Sequence, residues 1–105
     1  MAKIIPVGCT AINTFTYPFS EVESEAVYIT YRQRSGTIIE KTKEDITFHD
    51  DKQQVDVYLT QEDTLAFKQD EQVEIQIRVK LADGSAVKSN IVKTTSDRIL
   101  KKGVI

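Results

Sequence analysis

The sequence predicts an all-β protein built as an antiparallel β-sandwich. Three observations predict it. Apolar and polar residues alternate with a period of two through most of the chain, turn signals recur at short intervals, and only one short stretch carries a helix signature. Alternation gives each strand one buried and one wet face, the pattern of antiparallel sheets with a solvated side. The number and spacing of the segments fit about seven or eight strands, the count of a sandwich.

The elements follow in order. TAINTFTYPF is the first clear strand, and Pro18 with Ser20–Glu25 breaks it. In EAVYITYRQR, Val27, Ile29 and Tyr31 share one face, and Tyr28, Thr30 and Arg32 the other. Ser35-Gly36 turns the chain into TIIEKTK, and Asp50-Asp51 separates DITFH from QQVDVYLT. In the latter, Val55, Val57 and Leu59 oppose Asp56 and Tyr58. EQVEIQIRVKL is the most regular strand, with Val73, Ile75, Ile77, Val79 and Leu81 pointing inward. Asp83-Gly84 follows, reading as a two-residue hairpin with positive φ at both positions, and AVKSNIVK closes the sandwich.

One stretch breaks the alternation. In TQEDTLAFK, Thr60 stands where an N-cap belongs and Asp63 three residues on, close to a capping box. Glu62 and Asp63 would occupy the first helical turn, where the backbone dipole favours negative charge. The spacing predicts a short helical corner near residues 61–68 that crosses between the sheets, with Leu65 and Phe67 plugging the core.

The bulk composition bounds the function. A chain of 105 residues forms one domain, residues 1–105. The formal net charge is −2 and the basic residues are scattered, which argues against nucleic-acid binding. Cys9 is the single cysteine, so no internal disulfide can form, and it reads as a small, partly buried core residue. No run is long enough for a transmembrane helix, and Lys3, Pro6 and Gly8 interrupt any signal-peptide core. No membrane partner is expected, and the default compartment is the cytosol or a particle assembled there.

Candidate chemistry is sparse. His49, the single histidine, adjoins Asp50 and Asp51, a pairing that could serve a general base or a metal. No second histidine or recognisable nucleophile completes such a site, and adjacent aspartates are ordinary turn formers. Glu21, Glu23 and Glu25 lack the pattern of a calcium loop and read as a solvated connection. The glycines form no phosphate-cradling loop. No catalytic residue, metal site or cofactor is predicted, and the chain is expected not to be an enzyme.

Aromatic and terminal residues point instead to contacts. Tyr28 and Tyr58 lie on outward faces, where they could pair across strands, mark a protein interface, or form a sugar-binding platform. Residues 3–7 and 99–105 are apolar for chain ends. Either both are strands of the sandwich, or one offers Ile99, Leu100, Val104 and Ile105 to a neighbouring subunit.

The order of elements through residues 25–95 resembles small immunoglobulin-like modules of bacteriophage and prophage tail, baseplate and neck proteins. It is similar above all to the N-terminal domains of phage baseplate upper proteins. The likeness is carried by L-T-x-E-D-T at Leu59–Thr64, the corner Leu65–Lys68, the strand Val73–Leu81, Asp83-Gly84, and the closing strand Ala86–Thr95. Antibody-type domains share the E-D-T corner, but this chain has no tryptophan and no disulfide. The resemblance implies an immunoglobulin-like sandwich with a non-enzymatic, assembly-forming role. Its partners would be copies of itself, as a homo-oligomer, or other phage structural proteins. It would assemble in the bacterial cytoplasm and end in the virion. A carbohydrate- or surface-binding module is the alternative.

Overall fold

A computed structural model describes residues 4–105. Two sheets face each other across one core. Nine strands form them: β1 Ile4–Ile5, β2 Ala11–Thr16, β3 Ser24–Gln33, β4 Gly36–Thr42, β5 Ile46–His49, β6 Gln54–Leu59, β7 Gln72–Leu81, β8 Ala86–Lys88 and β9 Val92–Ser96. One sheet runs β1-β9-β7-β3-β4, with β8 paired on β7 beyond the end of β9, and the other runs β2-β6-β5. All pairings are antiparallel except β1 with β9. The chain changes sheets between β1 and β2, between β2 and β3, between β4 and β5, and between β6 and β7. This strand order, three strands against six, is that of an immunoglobulin-like Greek-key sandwich.

The predicted inward residues build the core. Val27, Ile29 and Tyr31 from β3, Val55, Val57 and Leu59 from β6, and Val73, Ile75, Ile77 and Val79 from β7 are all buried. Each such aliphatic side chain stabilises by about 1.5–3 kcal/mol relative to exposure. Tyr31 holds the centre: its hydroxyl donates to Asn13 Oδ1 at 2.7 Å, and its ring meets Phe67 edge-on. That polar partner explains why β2 turns Asn13 inward and leaves Ile12 exposed.

In the strands and chain ends the structure departs from the sequence reading at four points. The closing segment is two strands, because Ser89 interrupts it. Its hydroxyl accepts from the Ile77 N–H, and its carbonyl accepts from Gln76 Nε2. The Asp83-Gly84 connection is wider than a two-residue hairpin. Leu81 donates across it to the Ser85 carbonyl, Asp83 accepts from the Ser85 N–H, and only Gly84 takes positive φ. Cys9 is exposed rather than partly buried, since it sits in a turn closed by its N–H on the Pro6 carbonyl. Of the two apolar ends, only the first joins a sheet: Ile5 and Val7 are buried, while residues 99–105 form no strand. Lys3 lies outside the described residues.

Candidate interaction surfaces

The corner between β6 and β7 forms as its sequence dictates. The helix α1, Gln61–Leu65, is capped by Thr60, whose Oγ1 accepts from the Asp63 N–H while Asp63 Oδ2 accepts from the Thr60 N–H. This reciprocal cap satisfies donors that a helix start would otherwise leave bare. Phe67 is buried, and Leu65 packs half-buried against the core. Asp63 also receives Lys41 Nζ from β4 at 2.8 Å. Burial pushes the Asp63 carboxyl up, but the Lys41 ammonium and the Thr60 N–H outweigh it and hold the group below its ordinary value.

Three buried polar side chains tie down this corner. Thr64 Oγ1 accepts from the Gly8 N–H and donates to the Cys9 carbonyl, fixing the N-terminal turn to α1. Gln33 receives the Lys68 N–H on Oε1 and donates through Nε2 to the Lys68 carbonyl. Ser96 Oγ accepts from the Glu71 N–H and turns its single proton to the Lys68 carbonyl, with the Glu71 carbonyl as a weaker second acceptor. Backbone groups of the loop between α1 and β7 are thereby satisfied without a ladder. The ties were not read from the sequence, because Gln33 and Ser96 are polar residues at inward strand positions.

His49 does not join Asp50 and Asp51 in a site. Asp50–Lys52 form a 3-10 turn that ends at Gln53 in the left-handed region. His49 Nε2 instead meets Asp56 Oδ2 at 2.9 Å, and Thr14 Oγ1 donates to Asp56 Oδ1 at 2.7 Å. These bonds hold the Asp56 carboxyl below its ordinary value, the one from Thr14 most. The carboxylate sits between the other two groups, so the imidazole does not take the threonine proton. The arrangement links β2, β6 and β5 across their outer face. Glu21, Glu23 and Glu25 are exposed around the turn before β3. Among the described residues, no three histidine, cysteine, aspartate or glutamate side chains gather where they could hold a metal ion.

Tyr28 and Tyr58 are both about half exposed, but they stand on opposite sides of the molecule. The two rings therefore cannot pair across strands, because β3 and β6 belong to different sheets. Tyr28 lies between Arg78 and Thr42 in register, while Tyr58 faces Ile12. The Ile12–Tyr58 pair is an apolar contact face that sequence reading missed, since Asn13 rather than Ile12 was the improbable inward residue. In the C-terminal segment, Ile99 packs against the core, and Leu100, Val104 and Ile105 are exposed. Gln61 exchanges two hydrogen bonds with the Ile105 backbone, holding the tail beside α1. An apolar groove of about 250 Å³ opens between β2 and the β7–β8 pair, lined by Tyr17, Phe19, Ile77, Val79 and Val87.

Comparison with known proteins adds little to this geometry. No family model and no curated protein matches the chain. Among solved structures it is similar to the V domain of amphioxus IgVJ-C2, with 10% identity over 89% of this chain and 97% of that one and a TM-score of 0.38. The immunoglobulin-like assignment rests on the strand order itself. No helix among the described residues is long and apolar enough to cross a membrane.

Proposed function

We propose that this chain is a non-enzymatic assembly module that works through protein–protein contacts. The observation that carries the reading is the distribution of exposed apolar side chains. Tyr28 lies on one outer face, Ile12 and Tyr58 on the other, and Leu100, Val104 and Ile105 along the tail. Contact surfaces are enriched in such aromatic and apolar groups. The outermost strands β2, β4 and β5 also each pair on one side only, leaving backbone groups open to a neighbour.

Within that class we place the chain in a phage or prophage particle, as a tail, baseplate or neck component. The support is the resemblance carried by Leu59–Thr64 and the elements after it. The sheet-crossing corner with its Thr60–Asp63 cap is compatible with that resemblance. A sugar platform containing both Tyr28 and Tyr58 has no geometric support, because the rings face opposite ways. The test is density-gradient banding of particles from cells that encode the chain, probed with an antibody against it. The chain should band with tail-bearing particles. Recovery only in the soluble fractions would overturn the particle assignment.

A further inference from the structure

Asp83-Gly84 is the one place in the chain where an aspartate or asparagine precedes glycine. That pair carries a chemistry of its own. The Gly84 amide nitrogen attacks Asp83 Cγ, its proton leaves with the carboxyl OH as water, and a five-membered succinimide closes. Water then opens the ring. Attack at Cγ restores aspartate. Attack at the Asp83 main-chain carbonyl carbon leaves the chain running through Cγ, as isoaspartate. Water is the only other reactant, and the overall mass does not change.

Glycine suits this closure because it has no side chain to crowd the ring. Here the space is also open: no atom lies within 4 Å of where a Gly84 Cβ would sit, and both residues are exposed. The turn nevertheless holds both reacting groups. The Gly84 N–H donates to the Leu81 carbonyl at 2.9 Å. Asp83 Oδ1 accepts from the Ser85 N–H at 2.8 Å and from the Ser85 hydroxyl, an Asx turn. Ring closure needs the neutral carboxyl, since a carboxylate has no OH to lose. The Ser85 hydroxyl, and after it the Ser85 N–H, hold the Asp83 carboxyl below its ordinary value and so deplete that neutral form.

We propose that Asp83 is a latent isoaspartate site guarded by Ser85, and that its conversion releases strand β8. Isoaspartate places Cβ in the main chain, one extra atom between Leu81 and Ser85. The Leu81 N–H, which donates to the Ser85 carbonyl at 2.8 Å, then loses the spacing that sets the β7–β8 register. β8 has β7 as its one partner strand, and its Val87 lines the apolar groove beside Ile77 and Val79. Release of β8 therefore bares that groove. This chemistry is independent of the assembly reading above.

Ageing of the full chain at neutral pH in heavy-oxygen water tests this. Trypsin then excises residues 81–88, a peptide in which Asp83 is the single aspartate. Ring opening adds one heavy oxygen to it, and electron-transfer fragmentation distinguishes isoaspartate from aspartate. Wild type, Ser85→Ala and Ser85→Thr are compared, each checked for folding by circular dichroism. Ser85→Ala keeps the N–H donor but loses the hydroxyl, and should convert several-fold faster than the wild type. Ser85→Thr keeps the hydroxyl and should convert at the wild-type rate. In denaturing urea, where the turn is gone, all three should convert alike and faster than the native wild type. A native wild type as fast as the denatured chain, or a Ser85→Ala chain no faster than wild type, overturns the guard. So does a Ser85→Ala difference that persists in urea. In the isolated isoaspartate form, amide hydrogen exchange should show protection lost in β8 and kept in β3 and β6. Unchanged protection in β8 overturns its release.

Discussion

Lys41 Nζ reaches Asp63 Oδ2 at 2.8 Å, joining β4, the edge of the larger sheet, to the corner through which the chain leaves the smaller one. The same carboxylate oxygen closes the Thr60 cap. Asp63 therefore couples helix initiation to the packing of the two sheets, and its charge is needed for both.

The stability it confers depends on pH in a defined direction. The folded carboxyl is held below its ordinary value, so as pH falls the unfolded chain takes up the proton first. The contribution is complete above the ordinary aspartate pKa of about 3.9 and drains away as pH falls through the folded value. Asp63→Asn should lower stability by about 1–2 kcal/mol at neutral pH, the range of a lost cap and a charged hydrogen bond. Urea melts repeated near pH 3 should show the gap between wild type and variant narrowing. A gap that widens in acid would contradict the assignment.

The centre of the core makes a second prediction. Phe67 is buried against Tyr31, so Phe67→Ala should destabilise by about 3–5 kcal/mol. Tyr31→Phe removes no volume from the ring but leaves Asn13 Oδ1 buried without its donor, at a cost of about 1–3 kcal/mol. Adding Asn13→Ala to Tyr31→Phe should then cost less than Asn13→Ala does in the wild type. A double-mutant cycle by chemical denaturation reads that difference, and strict additivity would show that the hydrogen bond contributes nothing.

How much of this was legible in the sequence follows from which contacts are local. Val73 to Val79 and the Thr60–Asp63 cap are written in spacings of two and three residues, and both appear where the spacing puts them. Ser89 and Gln33 are different. Each acts through a partner on another strand or loop, the Ile77 N–H and the Lys68 backbone, and no local pattern distinguishes them from ordinary surface polar residues. The placement of Tyr28 and Tyr58 failed for a related reason. Alternation shows that both point outward, but not that their strands belong to different sheets.

Ser96 offers a test of those non-local ties. Its hydroxyl is fully buried, accepts from the Glu71 N–H and donates to the Lys68 carbonyl. Ser96→Ala leaves the Lys68 carbonyl to Gln33 and the Glu71 carbonyl to the Ser96 N–H but strips the Glu71 N–H of its acceptor, which should cost about 1–3 kcal/mol, more than removal of a lone surface hydroxyl. Amide hydrogen exchange should rise at Glu71 in particular. Unchanged protection there would show that the loop is held by packing alone.

The C-terminal segment supplies the last prediction, because one of its residues is structural and the remainder project outward. Ile99 packs on the core beside Gly8, whose φ of +82° disfavours any side chain and whose added Cβ would lie 3.0 Å from Ile99 Cδ1. Gly8→Ala should therefore destabilise by about 1–2 kcal/mol through backbone strain, and that strain should persist when Ile99 is shortened to Val to give the methyl room. Beyond Ile99 the order reverses. Leu100 is 96% exposed and Ile105 87% exposed, with the Gln61 hydrogen bonds as the tail's attachment to α1. Deleting residues 100–105 should shift stability by no more than about 0.5 kcal/mol, the scale of surface changes. Thermal melts of the truncated chain, read against Gly8→Ala, separate a tail that is part of the fold from one that is free to contact a neighbour. A loss equal to that of Gly8→Ala would place the whole segment in the fold and remove Leu100, Val104 and Ile105 from the contact surface.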